Sequence, residues 1–300
     1  MKTFKNYIAL LLVITVIMSL FIIPTVSASA KTATTTFLKN NKTYSFNLDK
    51  KGKSEEVRFE QTKNEEEYTT YYKSDLFIQG KKVFSANDTM KVKAVVADTD
   101  KSDKQLEVLI IQGYWSDNPQ EWSEIKHIYY YKYSNGKTKK VQDIYSLIKS
   151  KFDKFTDVHS ASDKLITVDG KGKLLNKVCI RLASYKNGNG MDFIHIKNNV
   201  KLVSGKYVNT KDKSYKLYNE GFNNKETVHV SKVKNKVYKK PGGSKVAYTL
   251  KKNDTFTIKS YYRKSKTSVY LEIKNKKGKT GYINPKTFSE KQTGSLHVGC

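Results

Sequence analysis

At 300 residues and 34.4 kDa, with 38% hydrophobic side chains, the chain is too long for one small core, and about two compact domains are expected beyond any targeting segment. Its 56 Lys and Arg against 28 Asp and Glu give a formal charge of +28, while an aromatic content of 12% excludes wholesale disorder. Two cysteines exclude a disulfide-stapled scaffold, an iron–sulfur protein and a cysteine-based zinc module.

The N-terminus reads as an export signal. Lys2 and Lys5 precede an apolar run from Ile8 to Ile23, which is short for a membrane span, and Pro24 leads to the small-residue triplet Ala28-Ser29-Ala30. Residues 1–30 are therefore expected to be a cleaved signal peptide, placing the protein outside the cell. Cleavage would remove only two lysines, so the positive excess belongs to the exported chain.

From Lys31 onward the dominant period is two. Tyr44, Phe46 and Leu48 alternate with polar residues, and Val57 and Phe59 resume the pattern after a turn at Lys51-Gly52-Lys53. Further strands are predicted over Asp75 to Ile78, Val92 to Ala97, Leu106 to Gln112 and Ile125 to Tyr133, the last ending in an Asn135-Gly136 hairpin signal. Others follow over Leu165 to Val168, Val178 to Leu182, Phe193 to Ile196 and Lys206 to Val208. One segment departs from this period: Asp143 can cap a short amphipathic helix over 143–155. Its apolar positions Ile144, Leu147, Ile148, Phe152 and Phe155 would face the sheet, with Lys149, Lys151 and Lys154 elsewhere. The fold class expected is mainly β, an N-terminal β-rich domain over 31–225 with one helix followed by a small β-barrel over 228–285 and a polar tail over 286–300.

Three stretches place acidic or glycine turns beside strands: Asp49 to Glu55, Asp98 to Glu107 and Asp169 to Lys173. They resemble degenerate copies of the calcium-binding turns in FG-GAP, propeller-like repeats of exported bacterial proteins, over roughly residues 40–200. The resemblance implies a propeller-like arrangement for the first domain.

Residues 228–284 carry a second resemblance. Val237-Tyr238-Lys-Lys-Pro241-Gly242-Gly243 leads to Thr249-Leu250, to Asn253-Asp254, to strands at Phe256 to Ile258 and Val269 to Ile273, and to Gly281-Tyr282-Ile283. This order is similar to bacterial SH3-like (SH3b) domains, with Asn253 where the family usually has Gly and Tyr282 where it often has Trp. The resemblance implies a small barrel that binds cell-envelope polymers without catalysis. Tyr238, Tyr261, Tyr262, Tyr270 and Tyr282 are the candidate stacking surfaces for glycan or peptide.

Catalytic signatures are scarce. The histidines at 127, 159, 195, 229 and 297 fall in no metalloprotease frame, and no nucleophile elbow or phosphate-cradling loop occurs. Cys179 lies in an apolar strand and Cys300 in a polar tail, and the sequence leaves open whether they pair. Carboxylate pairs do occur, notably Glu121 with Glu124 beside Trp115 and Trp122, a combination with glycosidase character. Asp98, Asp100, Asp103 and Glu107 form the one candidate metal site; their oxygen chemistry suits calcium, and no other cofactor is expected.

Lysine supplies nearly all the positive charge, with arginine only at 58, 181 and 263, so diffuse attraction to polyanions is favoured over bidentate reading of nucleic acid. The function expected is an exported, noncatalytic binding protein of the cell envelope, whose partners are anionic wall polymers or peptidoglycan. The alternative is a wall-acting hydrolase with an unfamiliar catalytic first domain.

Overall fold

A computed structural model describes residues 35–103, 105–114, 124–152, 158–159, 167–181, 193–217, 228–231, 233–265 and 268–284. The export signal, the Trp115–Trp122 segment, Cys300 and the expected domain boundary near 225 lie outside these residues. The protein is mainly β. In chain order its strands are β1 (Thr35–Phe37), β2 (Lys42–Phe46), β3 (Glu55–Glu66), β4 (Thr69–Ile78), β5 (Lys81–Asp88), β6 (Lys91–Ala97), β7 (Glu107–Tyr114), β8 (Glu124–Ser134) and β9 (Lys137–Asp143). The helix α1 (Ile144–Phe152) follows. Next come β10 (Val158–His159), β11 (Thr167–Val168), β12 (Lys173–Arg181), β13 (Phe193–Val203), β14 (Lys206–Asn209), β15 (Ser214–Lys216), β16 (Val228–Val230), β17 (Asn235–Tyr238), β18 (Val246–Leu250), β19 (Thr255–Ser265), β20 (Ser268–Asn275) and β21 (Thr280–Ile283).

These strands form four antiparallel sheets. The first has the order β1-β6-β7-β8-β9, the second β2-β3-β4-β5, and the third β10-β12-β13-β14 with β11 on β12. The fourth runs β15-β19-β20-β21-β17-β18, with β16 also on β19. None of the four closes on itself among the described residues, so the barrel expected over 228–285 is an open sheet there.

Alternation explains the layering. In β7, Val108 and Ile110 point to one face and Leu109 and Ile111 to the other, and all four are buried. One face packs under the second sheet with Leu48, Val57, Phe59 and Leu76. The other joins a larger cluster containing α1 residues Ile144 and Ile148, Ile196 of the third sheet, and Leu271 of the fourth. A sheet covered on both sides reads in sequence as an unbroken apolar run, as Val108-Leu109-Ile110-Ile111 does.

Local chemistry fixes the connections. Asn135 and Gly136 both take positive φ, 52° and 71°, the geometry a two-residue hairpin needs to match strand twist. Asp143 caps α1: its Oδ1 accepts the amides of Tyr145 (3.0 Å) and Ile128 (3.2 Å), and its Oδ2 accepts the Ser146 hydroxyl (3.1 Å). Ile144, Ile148 and Phe152 are buried and Leu147 half-buried, so the stripe packs on protein as expected as far as Phe152, Phe155 lying outside the described residues. Lys151 is the exception, because it too is buried. No helix among the described residues is long and apolar enough to cross a membrane.

Candidate functional site

Four of the five tyrosines picked from the sequence share one face of the fourth sheet. Tyr262 pairs with Tyr270, Tyr282 with both Glu272 and Tyr238, and Glu272 with Ser260. Since paired residues point to the same side, Tyr238, Tyr282, Glu272, Ser260, Tyr270 and Tyr262 line one surface. Val269, Leu271 and Ile273 fill the opposite side, against the core. The Tyr262 and Tyr282 rings meet edge to face at 6.0 Å. Each of the four tyrosines is half-buried, leaving part of its ring to solvent. Ser260 donates to Glu272 Oε2 at 2.8 Å, setting a polar pair among the rings, and Ser268 donates to the Tyr270 hydroxyl at 3.0 Å. Burial, followed by the charge of Glu272 and the neighbouring Tyr262, raises the Tyr282 phenol above its ordinary pKa.

Tyr261 is the correction. It is 1% exposed and belongs to the core, where its ring lies 6.1 Å from Tyr215 and 6.4 Å from Phe152. A β-bulge between Ile258 and Ser260 inserts Lys259 and reverses the parity of β19. Phe256 and Ile258 face inward before it, Tyr261 after it. The sequence carried no sign of the extra residue.

The turns around the tyrosine face are cationic. Lys239 and Lys240 precede Pro241-Gly242-Gly243, Lys274, Lys276, Lys277 and Lys279 surround the β20–β21 turn, and all six are exposed. Asn253 has a φ of 71°, the left-handed turn expected of it. Gly281 is required for packing: a Cβ there would lie 2.7 Å from Val237 Cγ1 and 2.9 Å from the Tyr238 carbonyl.

The acidic residues Asp98, Asp100, Asp103 and Glu107 gather where the three resembling turns converge. Thr99 O accepts the Gly172 amide at 2.8 Å, and Leu48 O accepts the Leu106 amide at 2.6 Å. The carboxylates there meet lysines and their own turns. Lys50 donates to Asp98 at 3.1 Å, Lys132 to Asp103 at 3.3 Å, and Asp100 accepts the Ser102 amide and hydroxyl. Glu107 is fully buried; its Oε2 accepts the Thr99 amide (3.0 Å) and hydroxyl (2.8 Å), and Lys132 Nζ stands 3.7 Å from Oε1. Burial outweighs these donors and pushes its pKa up to about 7. Among the described residues, no three His, Cys, Asp or Glu side chains are arranged to hold a metal ion. Cys179 stands opposite His159 and His195 in the strand register.

Sequence reasoning passed over one further site, a cleft of about 380 Å³ at the C-terminal end of α1, whose lining includes Lys151, Lys211, Asp212, Arg263 and Lys264. Its residues are far apart in sequence, and only the β19 bulge brings Arg263 to this side. In comparisons with known proteins, the chain matches no family model, no curated protein and no solved structure, so the likenesses to SH3b domains and FG-GAP repeats rest on the residues quoted for them.

Proposed function

We propose that the protein is an exported, noncatalytic binding protein of the cell envelope, holding wall polymer or peptide on the tyrosine face of its fourth sheet. The observation that carries this reading is the shared orientation of Tyr238, Tyr262, Tyr270 and Tyr282 around the Ser260–Glu272 pair, within a rim of exposed lysines. Half-exposed phenol rings offer flat apolar area with a polar tip, which suits the mixed faces of a sugar or a short peptide. The lysines add long-range attraction to an anionic wall. The SH3b-like order of residues 228–284 favours the same role.

The test is a pull-down of the full-length protein on isolated cell walls, beside a turbidity assay. An edge-on aromatic contact contributes about 1 kcal/mol, so Tyr262→Ala combined with Tyr282→Ala is expected to weaken retention about tenfold or more. Raising the ionic strength is expected to weaken it further. Unchanged retention by the double variant, or clearing of the wall suspension by the unmodified protein, overturns the proposal.

A further inference from the structure

We propose that the cleft at the end of α1 is a second ligand site, separate from the tyrosine face, which takes a phosphate or phosphodiester group. Among the described residues, the cleft brings Lys151, Lys211, Arg263 and Lys264 together with a single carboxylate, that of Asp212. Such an excess of positive charge around about 380 Å³ exceeds what one ligand carboxylate would neutralise and matches the several oxygens of a phosphoryl group.

Two of the cations are held in place. Lys151 is 9% exposed and donates to the carbonyl and hydroxyl of Thr210, at 3.0 and 3.4 Å. An ammonium has three donors, so among the described residues one remains for a ligand. Its Nζ lies 5.0 Å from the centre of the Tyr215 ring, and the Arg263 guanidinium lies 5.8 Å from that of Phe152. Aromatic rings thus lie beside both cations, that of Tyr215 within the cleft lining itself. The Tyr215 hydroxyl donates to the Asp212 carbonyl, which fixes the loop that carries Lys211. Arg263 supplies the planar fork for two oxygens, and its own amide is anchored on Lys213 O at 2.7 Å.

Keeping Lys151 charged here is costly. Burial, reinforced by Arg263 and opposed by Asp212, lowers its pKa to about 8. A bound anion would reverse that cost, so binding should take up a proton above pH 8 and weaken as the pH rises. The groups that face Lys151 in this response are Asp212, Arg263, Lys211, Lys264 and the Tyr215 phenol.

The experiment titrates the full-length protein, by calorimetry and by NMR of the Arg263 side-chain nitrogen, with inorganic phosphate, a polyglycerol-phosphate oligomer, and acetate. Binding of either phosphate probe with a shift at Arg263 is expected, and whichever probe binds more tightly identifies the source as free phosphate or polymer. A charged hydrogen bond contributes about 1.5–3 kcal/mol, so Lys151→Met and Arg263→Gln should each lower affinity about tenfold or more. Lys264→Gln, at an exposed lining position, should weaken binding less and keeps the test valid if the other variants fold poorly. Absence of binding by both phosphate probes, equal affinity for acetate, or folded variants that bind as the unmodified protein does would each overturn the proposal.

Discussion

Glu107 gives the protein a measurable dependence on pH. Its carboxyl has a pKa of about 7 in the folded state against 4.5 when free, because burial at the end of β7 outweighs the Thr99 donors and Lys132. The folded state therefore keeps a proton that the unfolded chain releases between those values. Stability from this group is fully present below 4.5 and lost as the pH rises through 7. At 1.36 kcal/mol per pH unit the loss amounts to about 3 kcal/mol, a large part of a typical domain's stability. Glu107→Gln keeps an oxygen for the Thr99 amide and hydroxyl but cannot ionise. Urea unfolding at pH 5 and pH 8, on the unmodified protein and on this variant, isolates the contribution as the difference between their two slopes. Part of the loss already lies below pH 5, so over this interval the unmodified protein should lose about 2–3 kcal/mol more than the variant. Equal pH dependence in the two proteins would refute the reasoning, and a steeper loss in the variant would reverse its sign.

Two further outcomes test the fold around each site. Gly281→Ala forces a Cβ within 2.7 Å of Val237 Cγ1 and should destabilise the protein by about 1–3 kcal/mol, read as a lower urea midpoint. Asp143→Ala removes the acceptor for the Tyr145 and Ile128 amides and should cost about 1–2 kcal/mol, with a matching fall in melting temperature.

The strands that alternate or run apolar were legible from sequence, because burial on one or both faces imposes the period directly. The Val92–Ala97, Leu106–Gln112 and Ile125–Tyr133 expectations overlap β6, β7 and β8 closely, and the Asp143 cap and the Asn135-Gly136 hairpin follow from local chemistry. The polar strand β9, Lys-Thr-Lys-Lys-Val-Gln-Asp, carries no such signal; it is a strand because β8 supplies its backbone partners. Of the five tyrosines picked from the sequence, four lie on one face of the fourth sheet. Tyr261 was misplaced because one inserted residue, Lys259, changes which side the side chains from Ser260 to Arg263 occupy, up to a second bulge before Ser265. Lys151 looked like a solvated position on α1. Its burial comes from Thr210, fifty-nine residues further on, and pairings of that kind leave no periodic trace.

The apolar interior runs without a break from the first sheet through α1 to the fourth sheet, with Phe152, Tyr215 and Tyr261 touching where helix and sheet meet. Tyr262 and Arg263 are adjacent on one strand, so the tyrosine face and the cleft are held at a fixed span with no joint between them. A long polymer that engaged one would meet the other at a high effective concentration, and only the polymer's own flexibility would have to be given up. Weak contacts at each place would then add into firm attachment for long chains, while short fragments would come and go.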